Sequence, residues 1–433
     1  MKILFVTYRF PPYNSSGAVR CGKMAKYLSE LGHDVKILTC NNQPLPDSLQ
    51  LEIPEENVIY SDWWNINAPV EYILGGRKKV AAKGLHAVAN KSTLKSRIIK
   101  TLGQLYKNIL HVPDAQIGWK NNAVKAGIQL VSNWKPDIIY ASAMPITSFL
   151  VAKKISEKSN IPWVGELRDL WTDSPYYTNP GWKKWYEEIW EKSLFSKAIG
   201  LTTITEHSVC QLQEKYNCPI ELILNGYDPI DFQTSESQSL YPPNSFISEG
   251  INILYAGMIY PGKRDPRPLL EAISILPENL KSLVKVHFYG PQLSNLMQQV
   301  EELSLHTNVE LNSPIPYKDI LNLQKMSDLL LLLMWNNPKE VGTFTGKFFE
   351  YIGARRPILC VGGDNSPPAL IIKERALGFV SFNANEICNL LIKMINEKRT
   401  NGHIKKTPIE AGSGFTRKEQ AIKLANFLEE IIS

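Results

Sequence analysis

Long apolar runs are missing from this chain: nothing in its 433 residues approaches the roughly 20 consecutive apolar residues that a membrane-spanning helix needs. Paired cysteines are missing as well. Six Cys stand at 21, 40, 210, 218, 360 and 388, in apolar or loop contexts and without a CxxC pair. They read as reduced, mostly buried thiols of a cytosolic protein, which argues against a disulfide scaffold. There is no HExxH, no Cys/His cluster and no DxD beside an apolar strand, so no metal site is expected. The GxGxxG fingerprint of dinucleotide binding is absent, as are repeats and low-complexity tracts. One-sided charge is also lacking. The formal net charge of +6 is mild, so the placement of charge matters more than its sum.

What is present is an ordinary globular composition, 44% apolar and 21% charged, in a chain too long for one core. Two or three domains are expected. Met1-Lys-Ile-Leu-Phe-Val-Thr7 looks superficially like the start of a signal peptide. The polar loop Tyr8–Ser16 follows at once, and the segment reads better as a first buried strand. A helix is predicted over Gly17–Gly32, with Val19, Met24, Tyr27, Leu28 and Leu31 on its apolar face, and a strand over Asp34–Thr39. This βαβ opening implies an α/β fold with a parallel, doubly wound sheet, continued by Asp137–Tyr140, Trp163–Gly165 and Gly200–Ile204. Gln233–Gly250, rich in Ser, Pro and Asn, reads as a linker. A second βα series begins beyond it, with strands over Ile251–Ala256, Val284–Tyr289, Val309–Leu311, Asp328–Met334 and Ile358–Val361. Thr416–Ser433 is a terminal helix with Ala421, Leu424, Leu428 and Ile431 at helical spacing.

The segment with the most chemistry is Gly342-Thr-Phe-Thr-Gly-Lys347-Phe-Phe-Glu350. It follows the all-apolar run Leu329–Met334, the pattern of a parallel strand covered on both faces. A loop with Gly342, Thr343, Thr345 and Gly346 leads into a helix opening at about Lys347. Loop amides and a helix N-terminus favour anionic oxygen, Lys347 adds a point charge for phosphate, and Glu350 can accept both hydroxyls of a ribose. A polyphosphate-and-ribose site is the reading. Two other loops end first strands. Arg9-Phe-Pro-Pro-Tyr-Asn-Ser-Ser-Gly17-Ala-Val-Arg20 lies at the carboxyl end of the first strand, where open α/β sheets bind ligands. There Gly17 permits close approach, and Arg20 is either a ligand contact or a structural helix-start residue. Ala256-Gly257-Met258-Ile-Tyr-Pro-Gly-Lys263-Arg264 ends the first strand of the second series. Lys263 and Arg264 are either a diphosphate grip or a solvated pair.

Together, in order and spacing, these motifs resemble glycosyltransferase family 4, a branch of the GT-B enzymes, over nearly the whole chain. The resemblance implies two Rossmann-like domains facing across a cleft. The first is an acceptor-binding domain over 1–228, the second a nucleotide-sugar-binding domain over 229–414, and a terminal helix over 415–433 crosses back to the first. Glu350 matches the second Glu of the family's donor motif. Gly342 stands where the first Glu would fall, as in a sub-branch with Gly-Thr…Lys-Phe-x-Glu-Tyr. Lys263 matches the Lys of the diphosphate-gripping loop, whereas Met258 replaces its Arg. Arg264 or Lys347 is then the substitute cation. The resemblance assigns donor binding to Gly17, Gly257, Lys263, Arg264, Thr345, Gly346, Lys347 and Glu350. Acceptor binding falls to Arg20, Arg168 and Asp169, the last two from Glu166-Leu-Arg168-Asp169-Leu-Trp171. Asp169 would orient the acceptor hydroxyl or take its proton, with Lys263 and Lys347 offsetting leaving-group charge; a structural Arg168–Asp169 pair is the other reading. Of the seven His, His207 alone stands near a plausible cleft position, and a lone His is more often structural.

The function implied is a retaining, metal-independent transfer of a sugar from a nucleotide-diphosphate sugar, a UDP-sugar foremost, to a hydroxyl acceptor. No cofactor is expected beyond the donor substrate. Gly75–Pro113 carries nine Lys and Arg, no acid, and interleaved apolar residues. Such a stretch suits an anionic membrane surface, with Trp63 and Trp64 as interfacial aromatics, better than nucleic acid, for which no motif is present. A lipid-linked saccharide acceptor in bacterial surface-polysaccharide assembly, and a cytoplasmic enzyme peripheral to the inner membrane face, follow as expectations. A sugar-nucleotide epimerase and a non-catalytic glycosyltransferase-like partner share the architecture and remain open alternatives.

Overall fold

The computed structural model describes residues 1–68, 106, 110–233, 246–260, 262–291, 294–337 and 344–433. The chain divides into two compact units, Met1–Ile223 with Ala421–Ser433, and Leu224–Gln420. Most of the Gly75–Pro113 stretch, most of the Gln233–Gly250 linker, and Gly342 and Thr343 lie outside the described residues.

The first unit runs β1 (Lys2–Thr7), α1 (Ser16–Glu30), β2 (Asp34–Cys40), β3 (Val58–Ser61), α2 (Lys120–Trp134), β4 (Ile138–Ala143), α3 (Thr147–Ser159), β5 (Trp163–Leu167), α4 (Gly181–Phe195), β6 (Gly200–Thr203), α5 (Glu206–Lys215) and β7 (Ile220–Leu222). Its strands form one parallel sheet in the order β3-β2-β1-β4-β5-β6-β7. Alternation along β1 sends Leu4 and Val6 to one core and Ile3 and Phe5 to the other, because successive side chains leave a strand on opposite faces. α2, α3 and α4 cover the first of these faces. α1 and the terminal residues Ala421, Leu424 and Leu428 cover the second. The strand order reverses between β1 and β4, which places the crevice of this unit at their carboxyl ends. α1 opens there, capped by Ser15, whose hydroxyl accepts from the Ala18 amide at 3.2 Å.

The second unit runs β8 (Ile251–Ala256), α6 (Arg267–Ser274), α7 (Glu278–Lys281), β9 (Val284–Tyr289), α8 (Ser294–Glu302), β10 (Val309–Asn312), α9 (Tyr317–Met326), β11 (Leu329–Leu333), α10 (Gly346–Ala354), β12 (Ile358–Val361), α11 (Pro367–Glu374), β13 (Gly378–Val380) and α12 (Ala384–Asn401), before α13 (Arg417–Ile432). Its parallel sheet has the order β10-β9-β8-β11-β12-β13. β11 is buried at every residue: Leu329, Leu331 and Leu333 enter one core, Leu330 and Leu332 the other. The order reverses between β8 and β11, and the loops that follow these two strands carry the Gly257–Arg264 and Thr345–Glu350 segments.

The division between units falls at 223/224, ahead of the expected 228. The backbone explains it. Tyr227 donates its amide to Phe415 O at 2.9 Å and accepts from the Arg417 amide at 2.8 Å, so the Asn-Gly turn before it is bound into the second unit.

Candidate functional site

The Thr345–Glu350 segment is a helix start, as its sequence predicts, with the first helical residue at Gly346. Thr345 is the N-cap residue. Its hydroxyl makes no capping bond and, among the described residues, has no hydrogen-bond partner although the atom is buried. Phe348, Phe349, Tyr351 and Ile352 lock the helix into the core, so the orientation of its first turn is fixed by packing.

Lys347 leaves this turn toward β8. Its Nζ donates to the Tyr255 hydroxyl at 3.2 Å and lies 4.4 Å from the centre of that ring. Tyr255 Oη in turn donates to Met258 O at 2.7 Å. The lysine passes directly over Gly257, where a Cβ would collide with its Nζ and Cε, and Gly257 has a positive φ of 137°. Among the described residues no carboxylate stands within ion-pair distance of Lys347. Burial, with the Arg264 charge adding to it and Glu350 opposing, lowers its pKa to about 8.

Glu350 is one turn further on. It accepts from Gln324 Nε2 at 3.2 Å and from the Tyr317 hydroxyl, both on α9, with Arg417 adding favourable charge. Burial outweighs these partners and raises its pKa. Lys263 and Arg264 sit in a tight turn, both amides donating to Tyr260 O at 3.0 Å. The Lys263 ammonium lies 4.5 Å from the Trp335 ring centre, and the Arg264 guanidinium 5.4 Å from that of Tyr260. Met258, in the position of the missing arginine, is exposed. Gly257, Arg264, Thr345, Gly346, Lys347 and Glu350 thus gather at the carboxyl ends of β8 and β11.

In the first unit the site residues separate into two groups. Arg20 is 2% exposed. It donates to Glu166 Oε1 through Nε (3.0 Å) and Nη2 (2.6 Å), and to Ile223 O at 2.8 Å. Tyr140 donates to the same carboxylate at 2.8 Å and Ser142 at 2.5 Å. Burial disfavours both charges, but each outweighs that penalty for the other: Arg20 is raised and Glu166 lowered. Arg20 is thereby tied into an ion pair inside the fold, which favours the structural of its two readings over the acceptor contact. Arg168 lies elsewhere, packed over Gly17, where a Cβ would meet its guanidinium at 2.5 Å. It donates to Ala143 O and Met144 O. No Arg168–Asp169 ion pair forms among the described residues. Asp169 is exposed, as is His207 in the first turn of α5.

Sequence reasoning missed Tyr255, Tyr317, Gln324, Tyr140 and the ion-pair role of Glu166. A weak signal exists for two of them: Tyr317 and Gln324 are seven apart, on one face of α9. Nothing in the sequence links Tyr255 to Lys347, because 92 residues separate them.

No known family profile matches this chain, and no curated protein matches it by sequence. Solved structures do. HepE of Anabaena, in complex with UDP and glucose, superposes with a TM-score of 0.65 at 17% identity, covering 99% of this chain and 100% of that one. A glycosyltransferase from Rickettsia africae gives 0.64 at 16% identity over 100% and 98%. WaaG, a glycosyltransferase involved in lipopolysaccharide biosynthesis, gives 0.54 at 14% identity over 100% and 99%. Likeness at this identity speaks for architecture, and with the two doubly wound parallel sheets it establishes that the chain has the α/β GT-B fold.

Proposed function

We propose that the chain is a glycosyltransferase that moves a sugar from a nucleotide-diphosphate sugar to a hydroxyl acceptor. The observation that carries this reading is Lys347: a desolvated lysine, without a carboxylate in contact among the described residues, held at the N-terminus of α10 and over Gly257. A protein that maintains such a charge gains most when an anion neutralises it, and a helix N-terminus beside it adds amide donors for the same anion. The Thr345 hydroxyl, without a partner among the described residues, supplies a further polar group, and Glu350 a carboxylate one turn away for ribose. Lys263 and Arg264 add positive charge for the diphosphate. UDP is the nucleotide we favour.

In the mechanism we propose, the diphosphate departs on the face from which the acceptor attacks, and configuration is retained. The work of the protein is positioning and stabilising leaving-group charge through Lys347, Lys263 and the α10 amides, without a metal. Asp169 and Arg168 of the first unit are assigned to the acceptor, which we take to be a lipid-linked saccharide in bacterial surface-polysaccharide assembly at the inner membrane face.

The test is calorimetric titration of the full chain with UDP, GDP and ADP. One nucleotide binds, and Glu350→Ala and Lys263→Ala each weaken it. No binding by any nucleotide at millimolar concentration overturns the proposal.

A further inference from the structure

Helix α4 is built inside out. Three of its six charged residues face the core: Lys183 is 3% exposed, and Glu187 and Glu191 are 1% exposed each. Each has an ion-pair partner there, although Glu187 Oε1 accepts no hydrogen bond among the described residues. Lys183 pairs with Glu187 at 3.5 Å and donates to His111 O at 3.1 Å. Glu187 also accepts from Tyr177 at 2.7 Å. Glu191 pairs with Lys215 at 2.9 Å and accepts from Tyr216 at 3.1 Å. Four large apolar side chains point out instead, while Leu194 and Phe195 at the end of the helix stay in the core. Trp182 is 56% exposed, Trp185 65%, Tyr186 40% and Ile189 48%, at positions i, i+3, i+4 and i+7. At roughly 200 Å² per large side chain this is roughly 400 Å² of apolar surface in one stripe, within the size range of the largest patch on a monomer, which is often functional.

The charge around the stripe indicates what covers it. α2, α3 and α4 line the same face of the first sheet, so their outer sides form a common surface, with Lys153 of α3 donating to Ser193 O of α4 at 3.3 Å. That surface is basic. Lys120, Lys125, Lys154 and Lys158 rim a groove of ≈ 460 Å³ floored by Val124 and Ile128. Lys192 is exposed on α4 itself. The only acids of these three helices that are not buried are Glu157 and Glu188. Both are already offset by lysines, Glu157 by Lys154 at 3.1 Å and Glu188 by Lys184 at 3.7 Å. Tryptophan and tyrosine rings in a helical stripe, flanked by lysines that outnumber the acids on these helices, complement a layer that is apolar below and anionic above.

We propose that the outer face of α4, with the lysines of α2 and α3, docks on an anionic lipid bilayer. Trp182, Trp185, Tyr186 and Ile189 enter the headgroup–acyl boundary, and the lysines pair with lipid phosphates. The inference does not need the nucleotide-sugar reading, and its test uses no donor.

Sedimentation of the full chain with vesicles of phosphatidylcholine plus phosphatidylglycerol, and of phosphatidylcholine alone, tests it. The wild type partitions onto the anionic vesicles and releases as salt is raised. Trp182→Ser/Trp185→Ser weakens partitioning about tenfold, through lost apolar burial, with an unchanged melting temperature. Lys154→Glu/Lys158→Glu weakens it on anionic vesicles only. Undiminished partitioning of the tryptophan variant overturns the proposal, since another region would then hold the lipid. Absence of vesicle binding at low salt also overturns it. So does light scattering that shows a dimer which the tryptophan variant converts to monomer, because the stripe is then covered by a second copy.

Discussion

The two units place the same kinds of residue at the same ends of their sheets and treat them in opposite ways. Each has a glycine beyond the end of its first strand with a cation lying over it, Gly17 at the start of α1 beneath Arg168 and Gly257 beneath Lys347. Each has a buried carboxylate close by. In the first unit, Arg20 and Glu166 meet at 2.6 Å and cancel, the arginine shifting up and the carboxylate down. In the second, Lys347 shifts down and Glu350 up, each toward its neutral form. A charge whose pKa moves toward ionisation has found its partner inside the fold. One that moves the other way is buried without full compensation inside the fold, which suits it to the external anion proposed for Lys347.

The largest effect should come from breaking the cancelled pair. Arg20→Met leaves Glu166 buried and uncompensated, and should cost about 3–5 kcal/mol in urea unfolding. Arg20→Met/Glu166→Met should recover most of that loss. A variant that instead stays stable and fails only in acceptor use would show that Arg20 belongs to the substrate after all.

This pair also shows where sequence reading stopped. The βα alternation, the buried run of β11, the helix start at Gly346 and the apolar face of the last helix were legible, because local periodicity and capping chemistry determine them. The partners were not. Arg20 and Glu166 are 146 residues apart, and whether a polar residue near a strand end is spent or available depends on which neighbour the sheet order brings to it. The sequence allowed both readings for Arg20, and only the parallel pairing of β1, β4 and β5 selects one. The inverted α4 was missed for the same reason. Trp182, Trp185, Tyr186 and Ile189 have the spacing of a core stripe, but Tyr177, Lys215 and Tyr216 give Glu187 and Glu191 a reason to face inward.

Next in size is the held charge. Lys347→Met should weaken nucleotide diphosphate binding about ten- to a hundredfold, the loss of a charge-assisted contact of about 1.5–3 kcal/mol. The melting temperature of the free protein should not fall, since the variant removes a charge that burial disfavours. A drop in stability comparable to that of Arg20→Met would erase the contrast between the units. The two glycines sharpen it further. Gly257→Ala must place an alanine at a φ of 137° and displace Lys347, and should cost about 1–3 kcal/mol. Gly17 lies in a helix without a positive φ, so Gly17→Ala needs only Arg168 to move and should cost under about 1 kcal/mol.

The smallest effect is a pH dependence specific to the second unit. Lys347 titrates at about 8 in the folded chain against 10.5 ordinarily. Between those values the unfolded chain holds more protons than the folded one, so stability rises as pH climbs through that window and the penalty persists in full below it. Diphosphate binding runs the other way. It favours the protonated lysine, so affinity is constant below the folded pKa and falls above it by up to about tenfold per pH unit. Binding above pH 8 should therefore take up a proton, visible as a dependence of the calorimetric enthalpy on buffer ionisation. Lys347→Met should flatten both profiles, whereas Arg20, whose pKa is raised beyond this range, contributes to neither. A wild-type affinity that stays level from pH 7 to about 10 would mean that Lys347 does not meet the phosphates, and the comparison between a spent and a held charge would lose its functional half.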